Sequence, residues 1–198
     1  MLSRNQFRQD DSYQRAKRDA LLKPFYAEHS AEGRFVFLDK GQLADVLQRE
    51  MAVDTILQGR GGHAFAIEEK IVRWKGRKYT AFTLETWTCT VPGRERKGWM
   101  YYGKCDILLY CFTQADGSLE AYAIPFPALK TWFFEQDRFE RYPTTVTEQI
   151  NRTECRVVPI ADVLAGVPGC KLYYLSASTP ASTPATKTPP FSGNMRGE

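Results

Sequence analysis

Hydrophobic positions along this chain recur with two different periods, and the switches between them mark its elements. Residues 13–23 (YQRAKRDALLK) read as a basic helix that ends near Pro24. Leu38-Asp39-Lys40-Gly41-Gln42-Leu43 then carries helix-start chemistry. Asp39 stands as N-cap, Gln42 closes a capping box, and Leu38 packs on Leu43 as a hydrophobic staple. In the helix that follows, Leu43, Val46 and Leu47 fall at helical spacing, and the next position on that face is Glu50. A carboxylate on a buried stripe needs a partner, so Glu50 either finds one or meets solvent at a frayed helix end. Residues 53–70 (VDTILQGRGGHAFAIEEK) give a strand that carries Asp54, a reversal over Gly59–Gly62, and a second strand with Glu68-Glu69-Lys70. So short a connection makes the two strands antiparallel neighbours.

Tyr79 to Trp87 (YTAFTLETW) alternates, with Glu85 on the face of Tyr79, Ala81, Thr83 and Trp87. Joined through the Trp74–Lys78 turn, this strand is expected beside Glu68–Arg73, which leaves Glu85 either an accessory ligand or a plain edge carboxylate. The polar-aromatic stretch Gly98–Tyr102 leads into Lys104–Tyr110, whose apolar run predicts a central strand buried on both faces. A turn at Ala115-Asp116-Gly117 and a strand over Leu119–Ile124 come next. Pro125–Phe134 reads as a helix with Phe126, Leu129, Phe133 and Phe134 toward the core. Trp132 lies off that stripe among Lys130, Arg138 and Arg141, where it either stacks on a base or caps the surface. A strand ending in Cys155–Pro159, a short helix over Ile160–Leu164 and a last strand over Lys171–Leu175 complete the pattern. From Ser176 the composition turns to Ser, Thr, Ala, Pro and Gly with no apolar period, as in a disordered tail. The expectation is one α/β (α+β) domain over residues 1–175, a mixed central sheet flanked by helices, and a tail over 176–198.

Composition narrows the classes. At 198 residues, with 13% aromatics, the chain has bulk for one full core. No apolar run approaches the ~20 residues of a membrane span. The first residues, with Arg4, Arg8, Asp10 and Asp11, do not resemble a signal peptide, so a cytoplasmic location without membrane contact is expected. Five cysteines without a C-x-x-C pair and only two histidines argue against structural zinc. Gly59-Arg60-Gly61-Gly62 lacks the spacing of a phosphate-binding P-loop. The net charge of +4 is modest, but it is concentrated. Arg73, Lys75, Arg77 and Lys78 crowd one turn and Arg94, Arg96 and Lys97 the next. These are DNA contacts or solvated turns.

Alternation also places the candidate chemistry. Glu68 and Lys70 share one face of their strand, with Phe65, Ile67 and Ile71 on the other and Glu69 among them. Asp54 arrives from the neighbouring strand. Two converging carboxylates repel unless a hard cation lies between them, and Mg2+ (or Mn2+) takes one or two carboxylates, waters and phosphate oxygens. A lysine alongside can orient or deprotonate water, or stabilise charge on phosphate. The set suits phosphodiester hydrolysis.

Asp54 followed by Glu68-Glu69-Lys70 resembles the PD-(D/E)XK nuclease superfamily, whose signature is an acid and then (D/E)-x-K on a hairpin. Val53 stands where the family's proline is usually written. Gly98-Trp99 followed by Asp106-Ile107-Leu108-Leu109-Tyr110 is similar to a segment after the catalytic hairpin in restriction-like and phage-borne members. The resemblance spans roughly residues 38–134 and implies a restriction-endonuclease-like fold and a Mg2+- or Mn2+-dependent nuclease acting on DNA. It further implies that Asp54, Glu68 and the backbone carbonyl of Glu69 hold the metal, and that Lys70 positions or activates water. Glu50 would act directly or through a water, with Gln48 and Glu85 as accessories. Relatives often dimerise, so a homodimer and a phage or mobile-element origin belong to the same expectation. The alternatives are a catalytically silent nucleic-acid-binding or protein-interaction module on the same fold, and an interaction protein in which the match is coincidental.

Overall fold

The computed structural model describes residues 12–39, 41–146 and 152–176. The tail expected beyond Ser176 lies outside the described residues. Among the described residues ten strands form two sheets. In the larger, β1 (Ser30–Phe37), β2 (Thr55–Gly59), β3 (Ala64–Val72), β6 (Ile107–Thr113), β7 (Leu119–Pro125) and β10 (Lys171–Leu175) lie side by side in that order. Only β3 and β6 are parallel; every other neighbouring pair is antiparallel. The smaller, antiparallel sheet runs β5 (Arg96–Lys97), β4 (Ala81–Cys89), β9 (Glu154–Pro159), β8 (Thr144–Val146). The fold is α+β, with a mixed sheet as expected. Among the described residues no helix is long and apolar enough to cross a membrane.

β6 is buried from Leu108 to Thr113, the central strand its apolar run predicts. One face of the large sheet, with Leu109, Cys111, Ala121 and Ala123, packs under the N-terminal helical segment. The other, with Leu108, Tyr110, Phe112 and Tyr122, packs against Phe82, Leu84 and Val158 of the smaller sheet. A strand buried on both faces is thereby sandwiched between a helical layer and a second sheet.

Four local expectations need correction. The strand expected over Tyr79–Trp87 forms over Ala81–Cys89 as β4, but it does not pair with β3; its partners are β5 and β9, and β6 occupies the place beside β3. Alternation says which side chains of a strand are buried, not which strand lies alongside. Phe82 and Leu84 are buried by stacking over the large sheet rather than extending it. The parallel β3–β6 pair needs a long crossover, and β4, β5 and the short helix α3 (Trp99–Tyr102) supply it.

The N-terminal helix does not end at Pro24. Residues 12–17 run through a π-helical turn at Arg18–Leu22 into α1 (Lys23–His29). In that turn the Lys23 N–H donates to the Arg18 carbonyl, five residues back. A proline lacks the N–H and collides with the carbonyl four residues before it. The wider turn draws the backbone out of that collision and lets the helix continue.

Helix α2 (Gln42–Met51) forms, but its cap and its face differ from expectation. Gly41, at φ 109°, is the N-cap and no side chain caps the helix; Asp39 instead pairs with Arg18. Leu38 packs on the core rather than stapling Leu43. The buried face is Ala44, with Leu47 and Met51 against the core. Leu43 is 70% and Val46 50% exposed. Small Ala44 lets the helix approach the sheet closely, which turns the face by one residue and brings Gln48 inward while Glu50 points to solvent.

Helix α4 (Phe126–Phe134) buries Phe126, Leu129 and Phe133 as predicted. Trp132 is half-buried rather than exposed. The Arg138 guanidinium lies 5.0 Å from its ring centre, and it fits so tightly over Gly166, which ends α5 (Ile160–Gly166), that a Cβ there would stand 2.0 Å from Trp132 Nε1. It is a packing residue.

Candidate active site

Asp54 sits in the bend just before β2, held by its neighbours at almost every polar atom. Its N–H donates to the Ile67 carbonyl (2.8 Å) and its carbonyl accepts from the Leu38 N–H (2.8 Å). Its Oδ2 accepts from the Glu69 N–H at 2.9 Å, and its Oδ1 from Gln48 Nε2 at 3.4 Å. Gln48 Nε2 also donates to the Leu38 carbonyl (2.8 Å), which fixes the amide between helix and strand.

These bonds reveal how β3 presents its backbone. Ile67 and Glu69 turn theirs toward Asp54, whereas Ala66 turns its carbonyl toward the β6 side, where Asp106 N–H donates to it (2.8 Å). The pairing of β2 with β3 stops at Ile67. Past that residue β3 has no strand on this side, and by alternation the Glu69 carbonyl faces the gap beside Asp54.

Glu68 and Lys70 project to the opposite side from Glu69, toward the smaller sheet. Glu68 is 5% exposed. Lys70 Nζ is 2.5 Å from Glu68 Oε1 and 5.4 Å from the Trp99 ring centre. Burial pushes the Glu68 carboxyl up to about 7; Lys70 opposes the shift, and the charge of Asp54, which lines the same cleft, adds to it. Burial alone would depress Lys70, but Glu68 and then Asp54 outweigh it and raise the ammonium above its ordinary range. Lys70 is therefore a charged donor in this state rather than a base, which favours positioning and charge stabilisation over water activation among the roles expected of it.

Glu85 reaches the same cleft from β4, its Oε1 accepting from the Thr88 hydroxyl at 2.6 Å. Gly98 crosses directly over it, where a Cβ would stand 2.5 Å from the Glu85 carbonyl oxygen. The cleft, about 360 Å³, is lined by Gln48, Asp54, Glu68, Lys70, Glu85 and Trp99 among others. The structure thus brings together Asp54, Glu68, Lys70, the Glu69 backbone, Gln48 and Glu85. It leaves Glu50 exposed and outside the lining, which corrects its expected role. Arg73, Lys75 and Arg77 lie exposed on the β3–β4 loop, and Arg94, Arg96 and Lys97 on the β4–β5 hairpin, none of them lining the cleft. Lys97 is held against Trp87 (3.7 Å) and Tyr101 (4.3 Å).

The sequence reading missed what stands behind the site. The Glu69 side chain, 5% exposed, accepts from Arg18 Nε (2.8 Å), Tyr26 hydroxyl (2.8 Å) and Thr55 hydroxyl (2.6 Å). Arg18 Nη1 goes on to Asp39 Oδ1 at 2.6 Å. Burial raises the Glu69 carboxyl, and Arg18 and the Thr55 and Tyr26 hydroxyls pull it back. A signal existed: an acid among Phe65, Ile67 and Ile71 demands a buried cation, and the N-terminal helix is rich in arginine.

Among the described residues no group of three or more His, Cys, Asp or Glu side chains is gathered closely enough to hold a metal. What Asp54, Glu68 and the Glu69 carbonyl offer is an all-oxygen donor set of two carboxylates and a peptide oxygen. That suits Mg2+ or Mn2+, which keep several waters, better than a softer ion. No family model, curated protein or solved structure matches this chain.

Proposed function

We infer that the protein is a metal-dependent nuclease that hydrolyses phosphodiester bonds, of DNA by the resemblance above, on a restriction-endonuclease-like α+β scaffold. The observation that carries this is the convergence of Asp54 and Glu68, with the Glu69 carbonyl turned to the same gap and Lys70 Nζ 2.5 Å from Glu68. Glu68 and Lys70, 14 and 16 positions after Asp54 in sequence, line one cleft with it, as the motif requires. A bound Mg2+ or Mn2+ would supply a Lewis acid at the scissile phosphate and lower the pKa of an attacking water.

The chain's own groups do the rest. Asp54 and Glu68 provide the negative site for the cation, Asp54 fixed by the Glu69 N–H and Gln48. Lys70, charged and packed against Trp99, donates to the attacking oxygen or to a phosphate oxygen and stabilises the charge that grows there. Glu85 faces Lys70 from the second sheet and helps keep it charged.

The test is titration of the purified protein with Mg2+ or Mn2+ against single-stranded, double-stranded and branched DNA, beside Asp54→Ala and Lys70→Ala. Cutting should require the metal and fall at least 10²-fold in Lys70→Ala, the order of loss expected when one charge-stabilising donor is removed, and at least as far in Asp54→Ala, which removes a metal ligand. An Asp54→Ala protein that cuts as well as wild type sinks the assignment. The Lys70–Glu68 ion pair, closed at 2.5 Å, favours a second reading, a silent nucleic-acid-binding module whose lysine neutralises the acid. It predicts binding without metal-dependent cutting.

A further inference from the structure

The cleft continues beyond the carboxylates. A second hollow of about 290 Å³ shares Lys70, Glu85 and Trp99 with the first and extends it to Val72 and Thr83. The combined channel runs along β3 from Glu68 to Val72 and along β4 from Thr88 back to Thr83. Its two ends fall where the chain places its exposed cations. Arg73 follows Val72 directly and opens the loop that carries Lys75, Arg77 and Lys78. At the other end the β4–β5 hairpin carries Arg94, Arg96 and Lys97, and Arg96 acts electrostatically on Tyr102, which lines that end. The nine residues of β4 separate the two clusters, a span of roughly 26 Å at ~3.3 Å per residue.

We propose that this channel is a through-running track for a single polynucleotide strand, so that the enzyme cuts within single-stranded DNA rather than from an end. The proposal rests on the nuclease assignment above and adds the substrate class.

Charge decides between an internal stretch and an end. The lining holds the carboxylates Asp54, Glu68, Glu69 and Glu85 against Arg18 and Lys70, an excess of acids that repels phosphate until a cation arrives. Attraction resides at both mouths. A strand that passes through gains both, whereas a chain end or a mononucleotide gains one and keeps the central repulsion. Depth decides between one strand and two. Glu68 is 5% exposed at the bottom of the channel, so the reacting phosphate has to descend between the β3 and β4 walls. A flexible single strand does this without the energy of unpairing that a duplex spends.

The probe is a circular single-stranded DNA, bound without metal and then cut in Mn2+, with the full chain and two surface pairs, Lys75→Glu/Arg77→Glu and Arg94→Glu/Arg96→Glu. Each pair should weaken binding of the circle at least tenfold. Each should also reduce the slope of log affinity against log salt by about 1.4, two contacts at ~0.7 each. Wild type should linearise the circle. Loss of affinity with only one pair, or cutting confined to linear strands from an end, overturns the track while leaving a nuclease. Two-ended binding of the circle with no cutting in Mg2+ or Mn2+ upholds the track and overturns the nuclease assignment.

Discussion

Glu68 carries a proton further up the pH scale than a surface glutamate does, and that couples the site to pH in two ways. Its ordinary value of 4.5 is raised to about 7, by burial first and by Asp54 against the pull of Lys70. Since the folded carboxyl binds the proton more tightly than the unfolded one, its contribution to stability is complete below pH 4.5 and is lost as the pH rises through about 7. Metal-free protein should therefore lose stability across that window, and Glu68→Gln should flatten the loss; urea melts at pH 5, 6 and 7.5 read both slopes. A divalent ion has to displace the same proton. Its affinity should climb by about tenfold per pH unit below pH 7 and level off above it, as isothermal titration with Mn2+ would report. Affinity independent of pH between 5 and 7 would mean that the ion does not bind at Glu68.

At the scale of elements, α2 and the N-terminal helical segment clasp the hairpin from its two sides. Gln48 links α2 to Leu38 and Asp54, and groups that orient a ligand in this way change metal affinity or activity about 10- to 100-fold when removed. Gln48→Ala should weaken Mn2+ binding by about that much. Glu50→Ala, on the solvent side, should leave it unchanged and shift stability by less than about 0.5 kcal/mol. On the other side Arg18 meets a Glu69 that has almost no access to water, and breaking such a pair from one partner costs about 3–5 kcal/mol. Arg18→Ala should lower the urea midpoint accordingly. These contacts also show where the sequence could be read and where it could not. The existence of α2, the β2–β3 hairpin and the shared face of Glu68 and Lys70 follow from local periodicity, which needs only the chain's own spacing. The face of α2 turned on how closely Ala44 approaches the sheet, and the fate of Asp39 on Arg18, 21 residues earlier. Both are long-range packing choices to which a capping pattern is blind.

Across the whole molecule, the site lies on the seam between two sheets rather than within one. Glu68 comes from the large sheet, Asp54 from the bend that leads into it, and Glu85 from the small one. The seam is closed by apolar contact of Phe82 with Tyr110, ring centres 4.9 Å apart, and by the Tyr110 hydroxyl, 2.8 Å from the Thr83 hydroxyl and 3.2 Å from its N–H. That placement was out of reach of alternation, because β4 reads equally well as a neighbour of β3 or as a strand stacked over it. It has a consequence for the whole fold. A cation held by Asp54 and Glu68 relieves the repulsion between two acids in a cleft that both sheets line, so it should stabilise both sheets together and not a local hairpin. An ion present at 100 times its dissociation constant adds about 2.7 kcal/mol to the native state. For a chain of this size that is a rise in melting temperature of about 5–10 °C. Scanning calorimetry with Mg2+, Mn2+ and non-reactive Ca2+ should show one cooperative transition moving upward with metal. In Asp54→Asn the transition should stay where it is without metal. A wild-type transition that no divalent ion moves would count against a metal site on this seam, independently of whether the right DNA substrate has been found.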